Sequence, residues 1–353
     1  MATVIPVDQW HYTGVVVKDY RQVVCNFARF FGIDRWEVVR VDGKYLENAT
    51  FEGQPVQHRY ISVSGHNEHL GIELIQPVDG PSAYQAFLDG PGEGMHHVMP
   101  TVCSPAQFEA LRPMLEREGI AIRQSGTLFG AVDSYLLDTR ELLSGISIEI
   151  ACPRREDWRG QIVPDEVLQM DLDALGPPFM PTGKMLHVGV VCKDRDRTKE
   201  NLRRLFGMER WIEFNIESGK TMEDTTYYGE PVHHVYDNHV GRLGSLCFEL
   251  ITPRSDKNVY DEFLRERGEG MHHTFPTICS PEVWQQARRS LEEAGMPVIQ
   301  GGTITGLMEY YYVDTRAYLP GITTEVVIPL ADDWLDKFFP NREDAWILTA
   351  EEA

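Results

Sequence analysis

The chain has 353 residues, 42% of them hydrophobic and 10% aromatic, enough for about two globular domains with substantial cores. Its net charge of −21 argues against nucleic acid held through phosphate contacts and disfavours a strongly anionic substrate. No apolar run approaches the roughly 18 residues of a membrane helix, and "MATVIPVDQWHYTG" shows no secretory pattern, so a cytoplasmic protein without a membrane partner is expected.

The chain repeats itself. "GEGMHHVMPT" from Gly92 returns as "GEGMHHTFPT" from Gly268, a shift of 176 residues. The same shift pairs "IELIQP" with "FELITP", "TFEGQPVQHRY" with "TYYGEPVHHVY", and "YLLDTRELLSGISIEI" with "YYVDTRAYLPGITTEV". Upstream, "GVVVKD" pairs with "GVVCKD" at a shift of 175, one residue having been gained or lost between. Such collinear matches define a tandem duplication. The domains expected are 10–153 and 185–329, joined by a connector over 154–184 and followed by an acidic tail over 330–353.

In chain order, each half reads as a strand, a helix and about three strands, and then the same again. In the second half "LHVGVVCKD" is the first strand and "RTKENLRRLFG" its helix. "MHHTFPTICS" begins the next unit, followed by the helix "SPEVWQQARRSLEEAG". There Ser280 is the expected N-cap, Pro281 lies in the first turn and Gly295 ends the helix. Alternating apolar stretches between turn signals complete each unit as strands. The fold class is α+β, with four such βαβββ modules paired into two half-open barrels.

Several features read as structural. The cysteines (Cys25, Cys103, Cys152, Cys192, Cys247 and Cys279) form no CxxC pair and are expected as buried reduced thiols. Asp138-Thr139-Arg140 and Asp314-Thr315-Arg316 read as strand-end turns with an Asp–Arg contact, and Tyr310, Tyr311 and Tyr312 mostly as core. Asn48 fits a glycosylation pattern, to which no meaning attaches without a signal peptide. Phosphate-loop and GxSxG motifs are absent.

Four polar residues interrupt apolar strands of the second half: His187, Glu249, His273 and Glu325. An ionised Glu inside such a strand costs several kcal/mol unless paired or coordinated. Two Glu and two His at corresponding positions fit a divalent metal ion, with Zn, Co, Ni, Mn and Fe all compatible with imidazole and carboxylate. Residues satisfied by backbone or water are the alternative.

The combined pattern "HVGVV…KD…NLRRLFG…FELITP…GEGMHH…TEVVIP" resembles the vicinal oxygen chelate superfamily, which includes glyoxalase I, methylmalonyl-CoA epimerase, extradiol dioxygenases and bleomycin-resistance proteins. "GEGMHH" with "FELITP" is most similar to the methylmalonyl-CoA epimerase branch. The double length is similar to the 2-epi-5-epi-valiolone epimerases of cyclitol biosynthesis. The resemblance implies His187, Glu249, His273 and Glu325 as metal ligands, with His272 facing the other way. The first half keeps Glu73, His97 and Glu149 but has Tyr12 at the first ligand position, so its site is expected to be degenerate or weak. His11 lies one residue off, and a one-residue slip turns a strand side chain to the other face unless a bulge restores it. Exchange of modules between barrels is left open.

The resemblance implies a metal-dependent epimerase or isomerase that inverts a carbon next to a carbonyl of a small-molecule substrate. Glu230 is the first candidate base, since Gln54 at the matching place of the first half cannot take a proton; Glu223 is the reserve, and Glu325 could serve by leaving the metal. His233, His234 and Tyr228 are candidates for the substrate pocket. A cyclitol is favoured over a CoA thioester because no basic cluster is evident. Rival readings are an iron dioxygenase and a non-catalytic binding protein. The sequence leaves a homodimer open.

Overall fold

The structure, a computed structural model, describes residues 3–67, 70–176, 178–179, 186–304 and 306–338. The described chain divides into two compact units, one around each of two sheets.

The first half runs β1 (Tyr12–Val16), α1 (Tyr20–Phe31), β2 (Arg35–Val41), β3 (Leu46–Phe51), β4 (Gln54–Pro55), β5 (Arg59–His66) and β6 (Gly71–Asp79). It continues with α2 (Ala83–Asp89), β7 (Gly94–Val102), α3 (Pro105–Arg117), β8 (Ile122–Leu128), β9 (Val132–Leu137) and β10 (Ser147–Pro153), then α4 (Trp158–Gln161) and β11 (Glu166–Gln169). The second half runs β12 (His187–Val191), α5 (Arg195–Phe206), β13 (Trp211–Glu217), β14 (Met222–Tyr227), β15 (Glu230–Pro231), β16 (Val235–Leu243) and β17 (Leu246–Pro253). After these come α6 (Val259–Arg267), β18 (Gly270–Ile278), α7 (Pro281–Glu293), β19 (Val298–Ile304), β20 (Met308–Val313), β21 (Thr323–Pro329) and α8 (Trp334–Phe338).

The second sheet has the order β13-β16-β17-β12-β18-β21-β20-β19-β14-β15. Its centre is the antiparallel pair β12–β18, the first strands of the two modules. Each central strand lies parallel to the last strand of its own module, β12 to β17 and β18 to β21. The first sheet repeats this plan around β1 and β7 and adds β11 beyond β2. Modules therefore pair within a half, which closes the question of exchange between barrels.

The α+β fold of four curled modules agrees with the sequence reading, with one elaboration. The first module of each half carries an extra hairpin, β3–β4 or β14–β15. Its longer strand joins the edge of the other module, β3 against β8 and β14 against β19. The tip is set by backbone conformation: Tyr228 and Gly229 both have positive φ, 48° and 79°. Two consecutive residues of that kind make the tight turn whose twist suits a hairpin.

Helix ends follow their local sequence. Ser280 caps α7 by accepting from Val283 N, with Pro281 at the first position; Ser104 caps α3 in a reciprocal box with Gln107. The core of the second half gathers Ile251, Tyr236, Tyr260, Phe275, Tyr310, Tyr312 and Val327 between its strands and α6. All six cysteines are free, five of them buried. The recurring Asp–Arg turns close as expected, Arg140 Nε donating to Asp138 at 2.8 Å and Arg316 Nε to Asp314 at 2.7 Å. Of the tail expected over 330–353, residues 339–353 lie outside the described residues, as do 177 and 180–184 of the connector. No described helix is long and apolar enough to cross a membrane.

Candidate metal centre

Four neighbouring strands of the second sheet each contribute one donor: His187 on β12, Glu249 on β17, His273 on β18 and Glu325 on β21. All four are buried. His187 Nε2 lies 3.1 Å from Glu325 Oε2 and 3.4 Å from Glu249 Oε2. His273 Nε2 lies 3.2 Å from Glu249 Oε2, 3.4 Å from Glu325 Oε2 and 3.4 Å from His187 Nε2. A cation held about 2.1 Å from each donor spaces adjacent donors roughly 3.0–3.4 Å apart. The five separations fall in that range.

Orientation supports the same reading. Glu249 Oε2 is buried and makes no aligned hydrogen bond, although two imidazole nitrogens lie close to it. His187 Nε2 bonds to Glu325 Oε2 and lies 3.4 Å from His273 Nε2, so the four donor atoms gather about one point that Glu249 Oε2 faces without a bond of its own. Glu249 is steadied from behind, where Asn238 Nδ2 donates to Oε1 at 2.5 Å. The electrostatics are those of a closed cluster. Burial opposes a charge on His187, but Glu249 and Glu325 outweigh it and raise the imidazole to about 9. Burial likewise pushes Glu249 up, and His187 with His273 pulls it well below the usual carboxylate range. By donor chemistry, spacing and burial the cluster suits a divalent metal ion.

A local irregularity builds this site. Gly189 on β12 pairs with His273, whereas Val190 pairs with Met271, so His272 is the extra residue of a β-bulge. His272 therefore does not simply face the other way, as strict alternation implies. It is buried, and its Nδ1 lies 3.0 Å from Nδ1 of His273. One ring must donate and the other accept, so His272 fixes the tautomer that leaves Nε2 of His273 facing the cluster. Gly189 is required for a different reason: a Cβ there would sit 1.8 Å from His273 Cε1. The imidazole lies across the strand where a side chain would be. The first half repeats both devices, with His96 as the extra residue and Gly14 beneath His97.

The first half brings Tyr12, Glu73, His97 and Glu149 together. Tyr12 takes the register of His187, two residues before the glycine. Its hydroxyl donates to Glu149 Oε2 at 2.7 Å, and His97 Nε2 lies 2.9 Å from that oxygen and 4.0 Å from Glu73 Oε2. His11 points elsewhere, to Asp8 and Gln9, so no bulge restores it. Burial, followed by repulsion from Glu149, raises Glu73 to about 7. Burial, with Glu149 and Glu73 beside it, also lifts the Tyr12 phenol well above its ordinary value.

The structure does not bring the candidate bases Glu230 and Glu223 to the cluster. Both are exposed: Glu230 directly follows the tight turn at Tyr228-Gly229, and Glu223 lies on β14 near the edge of the sheet. Tyr228 is exposed there as well, and its hydroxyl shares Glu262 with Arg316. His233 is exposed; His234 is buried against the Tyr310 hydroxyl at 3.1 Å, and burial, then His233, lowers it to about 4. Beside the cluster stand Tyr312, one of the tyrosines read from the sequence mostly as core, and Tyr260, which the sequence reading passed over. Tyr312 lies 5.1 Å ring to ring from His273, and its hydroxyl is 2.6 Å from that of Tyr260. Asn238 was missed too. The only signal was that it matches Ser62, whose hydroxyl donates to Glu73 Oε1 at 2.5 Å.

Residues 186–312 match the family model described as Glyoxalase/Bleomycin resistance protein/Dioxygenase superfamily. The superfamily resemblance is thus supported over a stretch of the second half that holds three of the four donors, His187, Glu249 and His273. A search of curated proteins gives no match. Among solved structures, a mutant 4-hydroxymandelate synthase from Streptomyces coelicolor is similar with a TM-score of 0.57 and 13% identity, over 93% of this chain and 94% of that one. A Mn(II)-bound glyoxalase from Novosphingobium aromaticivorans aligns with a TM-score of 0.40 and 14% identity, over 92% and 83%. Methylmalonyl-CoA epimerase from Mycobacterium tuberculosis aligns with a TM-score of 0.30 and 16% identity, over 43% and 91%. The first of these likenesses speaks for the fold along nearly the whole chain. Fold and site together describe four curled modules paired into two half-open barrels, with a buried four-donor cluster in the second half that suits a divalent metal ion.

Proposed function

We propose that the chain is a metal-dependent isomerase that inverts a carbon next to a carbonyl, and that its second half carries the chemistry. The observation behind this reading is the buried set of two imidazoles and two carboxylates. An oxygen-activating iron site of the facial type uses two His and one carboxylate and keeps positions open. A second inward carboxylate favours redox-neutral work.

A divalent ion held by His187, Glu249, His273 and Glu325 supplies a Lewis acid for a substrate carbonyl oxygen and so acidifies the neighbouring C–H. The rest falls to the side chains. Glu249 is pinned through Oε1 by Asn238. Glu325 has no such anchor among the described residues; its hydrogen bond runs to His187 inside the cluster. Glu325 is therefore the carboxylate free to swing, take the proton and return it to the opposite face. Tyr260 and Tyr312, buried and bonded to each other, form the wall that excludes water. With Glu230 and Glu223 exposed, Glu325 is the preferred base.

The net charge of −21 favours a neutral polyhydroxylated cyclic ketone over a CoA thioester. The first compound to offer is 2-epi-5-epi-valiolone, in heavy water without oxygen, with NMR at the position next to the ketone. Deuterium uptake with appearance of a second epimer, abolished in Glu325→Gln, is the expected result. Uptake with methylmalonyl-CoA alone would move the substrate class. Turnover that requires oxygen would overturn the isomerase reading.

A further inference from the structure

We propose that Tyr12, Glu73, His97 and Glu149 of the first half form a second metal site of a different kind, one that takes a hard trivalent cation such as ferric ion with the Tyr12 phenolate as a ligand. The inference goes beyond the isomerase reading and does not depend on it.

Three observations carry it. The donors converge: the Tyr12 hydroxyl and His97 Nε2 both reach Glu149 Oε2, at 2.7 Å and 2.9 Å, and Glu73 Oε2 stands 4.0 Å from His97. His97 is wholly buried, and its Nε2 makes no aligned hydrogen bond despite the nearby carboxylate, as a nitrogen aimed at a shared focus would. The scaffold that holds a metal-binding imidazole in the second half is kept entire in the first, including the Gly14 gap and the His96 contact behind His97 at 2.9 Å. A site reduced to filler has no need of these supports.

The one replaced donor sets the preference. Exchanging imidazole for phenolate trades a neutral borderline ligand for a hard anionic one. With both carboxylates ionised, the second-half donors carry two negative charges and the first-half donors three. A buried cluster is stable only when its charge is nearly compensated, so the second-half set balances a divalent ion and the first-half set a trivalent one. Binding a ferric ion would release the phenolic proton, and any proton held by Glu73, to solvent, with no change in oxidation state. Tyr12 and Glu73 are the two half-buried members of the four, and His97 and Glu149 are buried.

The test is to titrate the metal-free full chain with ferric nitrilotriacetate and record visible absorption and resonance Raman spectra. A phenolate-to-iron charge-transfer band with tyrosinate modes is expected, kept in His187→Ala and lost in Tyr12→Phe with one fewer ferric ion bound per chain. Circular dichroism checks that the variant is folded. In Tyr12→His the band should also vanish, and one additional Co(II) should bind per chain. A colourless protein at saturating ferric ion, a band that survives Tyr12→Phe, or unchanged Co(II) binding in Tyr12→His would each overturn the proposal. Failure of the isomerase reading would leave these spectra untouched.

Discussion

The two halves place the same four positions on the same four strands, keep the same bulge and the same glycine gap, and differ at one donor. Where the second half has His187, the first has Tyr12. That exchange changes how the remaining three side chains live with one another. In the second half two imidazoles neutralise two carboxylates, and Glu249 is drawn far down. In the first half one imidazole faces two carboxylates, and Glu73 is driven up to about 7 by burial and by Glu149. A backbone can therefore preserve a site's shape through a duplication while one side chain resets its charge.

The sharpest way to break this comparison is to remove one donor from each half. If the proposed isomerase reading holds, His187→Ala should lower that rate by about 10³-fold or more, because a Lewis acid supplies several kcal/mol. Tyr12→Phe should leave that rate within a factor of about 2, inside ordinary mutational scatter. Equal losses from the two variants in the exchange assay would erase the division of labour.

Protons separate the halves next. In the metal-free protein His187 is raised from 6.5 to about 9. Its contribution to stability is complete below pH 6.5 and lost as pH rises through about 9. Glu73 is raised from 4.5 to about 7, so the same sign applies in a lower window: its contribution is present below pH 4.5 and lost through about 7. Each loss is roughly 3 kcal/mol at most. Denaturant melts across pH should show two steps, the lower removed by Glu73→Gln and the upper by His187→Gln. A single step common to both variants would mean that the clusters do not titrate independently.

The glycine gap offers a matched pair. Gly189→Ala should displace His273 and cost about 1–3 kcal/mol of stability together with the second-half metal, whereas Gly14→Ala should cost similar stability and none of the isomerase rate. Calorimetry and metal analysis read both. The smallest effect lies behind the ligands. Asn238→Ala should weaken divalent-metal binding by about 10–100-fold, and Ser62→Ala should leave it unchanged. Competition with a chelator measures this, and unaltered affinity in Asn238→Ala would remove Asn238 from the account.

Much of this was legible in the sequence for physical reasons. A duplication leaves collinear text, and a carboxylate inside an apolar strand such as "CFELIT" announces an unusual environment. Other features were hidden. Period-two counting assumes an unbroken ladder, so the bulge that turns His272 toward His273 could not be read from "MHH". Glu230 looked informative because Gln54 replaced it, yet two positive-φ residues before it carry it to solvent. Asn238 reaches Glu249 from the neighbouring strand, a contact set by sheet register rather than by spacing along the chain.

The hairpin that crosses between modules has a consequence in time. β14 finds its edge partner in β19, some 70 residues later, and β3 waits similarly for β8. During synthesis at about 5–20 residues per second, each such strand stands without that partner for roughly 4–14 s. Long-range pairings of this kind slow folding. The crossing strand ties the two modules of each half together, and the strands bearing Glu149 and Glu325 are the last of their modules to be synthesised.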